Sequence, residues 1–243
     1  MAAHLPLLVA GVFVVSLLYS SVGHAGASGY IAVMTLLSVA PADVKPTALA
    51  LNILVASIGS WQFRRAGHFS WRLFWPFAVL SVPLAFAGGW ATVPAHAFKV
   101  MTGVVLLLSA TRFVVDPPEE REPSRPSRPV AAASGGVIGL LSGMTGTGGG
   151  IFLTPLMLFL GWARVKETAA VSVVFILVNS VAGLLGNAGS TRHFPPLAFA
   201  LLAAAAAGGA IGSYYGSSRL APSAIKRLLA AVLLIAGAKL VFS

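Results

Sequence analysis

Chemistry in this chain centres on Gly143-Met144-Thr145-Gly146-Thr147-Gly148-Gly149-Gly150, followed by Ile151-Phe152-Leu153-Thr154-Pro155. The stretch lies in a strongly apolar region, where each glycine costs a helix about 1 kcal/mol relative to alanine. In hydrocarbon the freed backbone groups cost several kcal/mol more unless they face protein or a wet cavity. Such a break is expected to line a site. Its bare N–H groups, beside a helix N-terminus starting near Ile151, suit an anion.

A second stretch answers it: Gly23-His24-Ala25-Gly26-Ala27-Ser28-Gly29-Tyr30. At a fixed offset, Gly26 to Gly29 fall on Thr147 to Gly150, and Val44-Lys45-Pro46-Thr47-Ala48 falls on Val165-Lys166-Glu167-Thr168-Ala169. With small changes of offset, His68-Phe69 meets His193-Phe194, and Pro94 to Lys99 meets Ala221 to Lys226. These matches argue for an internal duplication. The expected organisation is a first membrane repeat over 1–115, a cytoplasmic linker over 116–130 and a second repeat over 131–243.

The elements that must position these loops follow from composition. The 243 residues are 57% hydrophobic and 9% charged, against about a quarter charged in soluble domains. Apolar runs of helical length predict an all-α integral membrane protein. Each repeat should be a glycine-tipped helical hairpin plus three transmembrane helices. In the first half the hairpin uses 5–22 and 29–40, and the spans are 44–63, 71–90 and 97–115. In the second the hairpin covers 131–161, with spans 168–185, 196–214 and 224–242. Residues 5–22 could pass for a signal peptide, but no Lys or Arg precedes them and the supposed cleavage site falls on the glycine loop.

The net charge of +10 does not point to nucleic acid, because the basic residues are scattered between apolar segments. It sets orientation instead. With inverted halves, one side holds Arg64, Arg65, Arg72, Arg112, Arg121, Arg125, Arg128, Arg164, Lys166, Arg219, Lys226 and Arg227. The other holds Lys45, Lys99, Arg192 and Lys239, a split of 12 against 4. Parallel halves would give 9 against 7. The first arrangement places both termini outside and the linker in the cytoplasm of a multi-pass cell-membrane protein.

Two inverted halves with broken helices at membrane depth point to a transporter whose site lies at the repeat interface. The candidate substrate-binding residues are His24, Gly26, Ser28, Gly29, Asn52, Thr145, Thr147, Gly148, Gly149, Gly150 and Asn179. They offer donors and no carboxylate, since Asp43, Asp116, Glu119, Glu120, Glu122 and Glu167 all avoid the span centres. A metal cation would want oxygen anions. No metal or cofactor is expected; the partners are a small anion and the bilayer. Asn52 and Asn179 fit helix-to-helix hydrogen bonding equally well. His24 could donate to an oxyanion or face the outer interface, and His68 and His193 read as solvated loop residues. Lys45 and Lys166 are snorkelling anchors or a lure for anions.

The run Gly146-Thr147-Gly148-Gly149-Gly150-Ile151-Phe152-Leu153-Thr154-Pro155-Leu156 resembles the glycine-rich signature of the TauE/SafE sulfite-exporter family. The duplicated layout and length are similar too. That resemblance implies export of a small sulfur-containing anion, of sulfite or organosulfonate type. The first copy departs from the pattern, with Ala25 and Ala27-Ser28 among its glycines and Met34 where the second has Pro155. Two alternatives stand beside it. Gly26-Ala27-Ser28-Gly29 fits the Gly-x-Ser-Gly pattern of rhomboid-like intramembrane serine proteases, with His96 or His193 as base, although the repeat explains Ser28 without a nucleophile. An anion channel would use the same residues.

Overall fold

The computed structural model describes residues 5–91, 107, 122–191 and 195–242. Of the expected span at 97–115 only residue 107 is among them, and His96, Lys99 and His193 lie outside the described residues. Every element among the described residues is helical. In chain order these are α1 (Leu5–Ser21), α2 (Ala27–Leu36), α3 (Pro41–Arg65), α4 (Trp71–Trp90), α5 (Arg128–Thr145), α6 (Gly150–Phe159), α7 (Val165–Thr191), α8 (Leu197–Tyr214), and α9 (Pro222–Phe242). A π-helical turn, Tyr215–Arg219, carries α8 onward, and sequence patterning holds no sign of it.

Four described stretches are long and apolar enough to cross a membrane: Pro41–Arg65, Trp71–Trp90, Val165–Gly189 and Leu197–Arg219. Their ends follow local chemistry. Pro41 opens α3 at a position where its missing N–H costs nothing, and Gly67 lies just beyond α3 at φ 78°. Pro76 and Pro83 lie inside α4 without ending it. The α2 and α6 arms, of 10 residues each, are too short to span about 30 Å at 1.5 Å per residue.

The helices of the two halves interleave. Helix α1 lies along α8, α5 along α4, and α3 against α7, while α4 also packs on α7 and α8 on α3. Backbone approach sets the first two crossings. A Cβ at Gly135, Gly139 or Gly143 of α5 would strike the carbonyl oxygens of Phe77, Ser81 and Ala85 of α4. At Gly208, Gly212 or Gly216 it would strike those of Phe13, Leu17 and Ser21 of α1. Both stripes repeat every four residues, the spacing of one helix face. Paired residues rise together, so α4 and α5 run parallel, as do α1 and α8. Gly59 faces Val173 while Asn52 reaches Ser180, so α3 and α7 run antiparallel.

Buried hydroxyls and amides fasten the crossings. Ser16 Oγ donates to the Ala205 carbonyl at 2.6 Å and Thr154 Oγ1 to Ser172 Oγ at 2.8 Å. Gln62 donates to the Ala210 carbonyl and accepts from Ser213. Bonds of this kind between membrane helices contribute about 0.6 kcal/mol each.

Several contacts gather at one end of the bundle, called the linker end below. There the backbone N–H of Ser124 donates to the Gly161 carbonyl at 2.9 Å, and Arg125 stands 3.7 Å from Glu167. His68 Nε2 lies 3.0 Å from the Ser217 carbonyl, so that nitrogen carries the proton. The solvated His68 of the sequence reading is instead half-buried and holds the α3–α4 turn to the π turn.

Candidate functional site

Helix α5 stops because Gly146 takes a left-handed conformation, φ 77°, with its N–H donating to the Ser142 carbonyl. Gly148 and Gly149 follow at φ 77° and 83°, and α6 begins at Gly150, one residue earlier than expected. This conformation costs a side-chain-bearing residue about 1–2 kcal/mol, which accounts for glycine here. The first N–H groups of α6 have no partner within their own helix. They start among buried residues: Thr147, Gly148, Gly149 and Gly150 are all buried.

Two long helices close around this loop. From α3, Asn52 Nδ2 donates to the Thr147 carbonyl at 3.4 Å and to Ser180 Oγ of α7 at 3.3 Å. A Cβ at Gly148 would come within 2.8 Å of that nitrogen, 2.9 Å of Ser180 Oγ and 2.7 Å of Ile176 Cγ2. From α7, Asn179 Oδ1 accepts from Ser81 Oγ of α4 at 2.7 Å, which leaves its buried Nδ2 unpaired. Asn52 Oδ1 and Ser142 Oγ are also buried without a hydrogen-bond partner. Unsatisfied polar atoms at this depth are costly, about 1–3 kcal/mol each, so they mark a place for polar contents.

The first loop contributes differently from its glycine pattern. His24 is 2% exposed and stands with its ring against Gly150, where a Cβ would come 3.2 Å from Cδ2. Neither ring nitrogen reaches hydrogen-bond geometry, and Tyr19 meets the ring edge-on. This overturns the outer-interface reading of His24: the residue lies where the two loops meet. Nearby, Gly23 at φ 79° presses against Ala169 of α7.

The other first-loop candidates face their own hairpin. Gly26 caps α2 at φ 108° beside Tyr30, whose Oη donates to the Ala25 carbonyl. Ser28 Oγ donates to Tyr19 Oη at 3.1 Å, and Gly29 packs against Val15. In the second loop, Thr145 Oγ1 is held by its own helix at the Leu141 carbonyl, 2.8 Å, and shares a hydrogen bond with Thr147 Oγ1 at 3.0 Å. The structure thus joins His24, Asn52, Thr147, Gly148 and Gly150, and places Gly26, Ser28 and Gly29 outside the junction.

Residues not foreseen as part of the site complete it. Ser180 bridges to Asn52, Ser81 holds Asn179, and Ser142 sits behind Gly149. Lys45 extends along Gly146 and donates to the Gly89 carbonyl at 3.1 Å, a cation at the C-terminal end of α4. Ser180 follows a residue already singled out, but a serine in a span carries no signal of its own. The described carboxylates keep away: Asp43 and Glu167 lie in the first turns of α3 and α7, and Glu122 precedes α5.

Among the described residues the junction is therefore a buried, carboxylate-free cluster of amide, hydroxyl, imidazole and helix-start N–H groups. Donors of this kind suit an anion rather than a metal cation. Asn52→Asp is isosteric and tests this, because it adds a negative charge among the donors. Anion flux in that variant is expected to fall at least about 100-fold, against about tenfold for Asn52→Ala. Equal losses would mean that charge at this place is irrelevant.

Comparison with known proteins bears on the whole chain. The family model described as sulfite exporter TauE/SafE matches residues 7–240. A curated protein of Sinorhizobium fredii, "Probable membrane transporter protein y4hK", is 40% identical over 235 residues, covering 95% of each chain. No solved structure matches.

Proposed function

We propose how this molecule works from one premise: the chain belongs to the sulfite exporter TauE/SafE family. It is a membrane transporter of that family. Its substrate, in the reading favoured here, is a small sulfur-containing anion of sulfite or organosulfonate type, exported through the junction of the two glycine loops. One observation carries the reading. His24 of the first loop touches Gly150 at the start of α6, so one residue set can hold one anion from both halves.

The halves are read as inverted repeats, 1–115 and 131–243, joined by a cytoplasmic linker over 116–130. The exchange of partners supports this, with α1 on α8 answered by α5 on α4. So does the parallel course of each pair, which makes the hairpins enter from opposite ends. A protease reading is not favoured: the family consists of transporters, and Ser28 is bonded to Tyr19 rather than to a base.

The driving force follows from what the junction contains. With no carboxylate relay in it, an anion leaving a negative interior gains about 2.3 kcal/mol per charge per 100 mV. In proteoliposomes, methanesulfonate flux is expected to change about tenfold for roughly 60 mV imposed by potassium and valinomycin. It should ignore a pH gradient at zero potential. Flux that follows only the pH gradient would replace uniport with proton coupling and make His24 the carrier of the proton.

A further inference from the structure

At the linker end, α7 starts beside the α3–α4 turn, and the two enclose an open cleft of about 460 Å³. Its polar wall is His68 and Ser70 on one side and Arg164, Lys166 and Glu167 on the other. Glu167 is engaged from outside the wall by Arg125 at 3.7 Å, which offsets its charge and leaves Arg164 and Lys166 in excess. The floor is Val165, which packs with Val22 of the first loop, Ile151 of α6 and Ile225 of α9. Ala169, one helical turn beyond Val165, already touches the first loop at Gly23. Thus a cationic cleft ends on an apolar plug, and the loop junction begins on the far side of it.

At the opposite end the matching lysine is already engaged. Lys45, the repeat counterpart of Lys166, is committed to the Gly89 carbonyl. We propose that the cleft at the linker end is a second anion site, a waiting place for a small oxyanion such as a sulfonate before the plug parts. Arg164 and Lys166 concentrate the anion there, and Ser70 and His68 supply the polar wall. The proposal rests on the transport reading, with the linker facing the cytoplasm.

The chain has no cysteine, so one introduced thiol reports alone. Ser70→Cys is labelled from the linker side with an anionic and a cationic methanethiosulfonate of similar size, 2-sulfonatoethyl and 2-trimethylammonioethyl. Rates are divided by those for free 2-mercaptoethanol. The anionic reagent is expected to be favoured by at least about tenfold, the scale of electrostatic focusing in a charged cleft. Arg164→Gln with Lys166→Gln should bring the ratio to about one, and methanesulfonate should slow the anionic reagent in the parent. Glu167→Gln keeps both cations and should raise the ratio, which serves as the test if the double variant does not fold. A parent ratio near one, or a ratio insensitive to these substitutions, overturns the site. Labelling needs no transport: a cleft that behaves as stated in a protein with no methanesulfonate flux would leave the site and sink the transport reading. Flux with a ratio of one would do the reverse.

Discussion

Gly148→Ala is expected to reduce anion flux at least about 100-fold, equivalent to about 2.7 kcal/mol. Two costs meet at this position. Alanine at φ 77° pays about 1–2 kcal/mol for left-handed backbone. Its methyl also needs the space of Asn52 Nδ2, Ser180 Oγ and Ile176 Cγ2, all within 2.9 Å. Relief requires the loop to shift away from α3 and α7, which separates the groups proposed to hold the anion. Gly161→Ala separates strain from site. Gly161 has φ 62° and nothing within 4 Å of a Cβ, so alanine there pays backbone strain without displacing a neighbour. Its flux per folded molecule should stay within about threefold of the parent, well under one 1.4 kcal/mol decade. If Gly148→Ala transports as well as Gly161→Ala, the substrate passes elsewhere.

The second large effect is on assembly. Gly143→Val is expected to abolish the monodisperse peak in detergent size-exclusion. A side chain there meets the Ala85 carbonyl and the Gly89 backbone nitrogen, and backbone cannot swing aside. Overpacking costs about 1–3 kcal/mol where side chains can adjust, and more where they cannot. Gly11→Ala is the comparison, since its nearest neighbour is the Val33 side chain, which can change rotamer. It should remain monodisperse and lose only a few degrees in melting temperature. A monodisperse, transport-competent Gly143→Val would show that α4 and α5 do not need this close approach.

The helical class, most spans and the second loop were legible because each has a local cause. Three adjacent glycines cost a helix about 1 kcal/mol each, whatever surrounds them, and Trp71–Trp90 matches the expected span end for end. Ends set by turns moved further: α7 begins at Val165 rather than 168 and α5 at Arg128 rather than 131. The stripe Gly135, Gly139, Gly143 stands in the sequence at four-residue spacing, the spacing of one helix face. The pairings Ser81 with Asn179 and Asn52 with Ser180 were not readable. They depend on the rotation and register of helices some hundred residues apart, which no local pattern specifies. His24 was legible as a candidate with its loop, but its contact with Gly150 was not, because that neighbour belongs to the other half.

The glycine stripes have a consequence for biosynthesis. Both belong to the second half, on α5 and from α8 into the π turn, and the carbonyls they meet lie on α4 and α1 of the first half, where Gly88 and Gly89 of α4 in turn meet the Leu140 and Gly183 carbonyls. Among the described residues, α4 packs chiefly on α5 and α7. As the chain emerges from the ribosome, α1 and α4 therefore enter the bilayer before the surfaces that fit them have been translated. The nascent first half must wait, shielded by lipid or by the insertion machinery, until α5 seats on α4 and α8 later seats on α1.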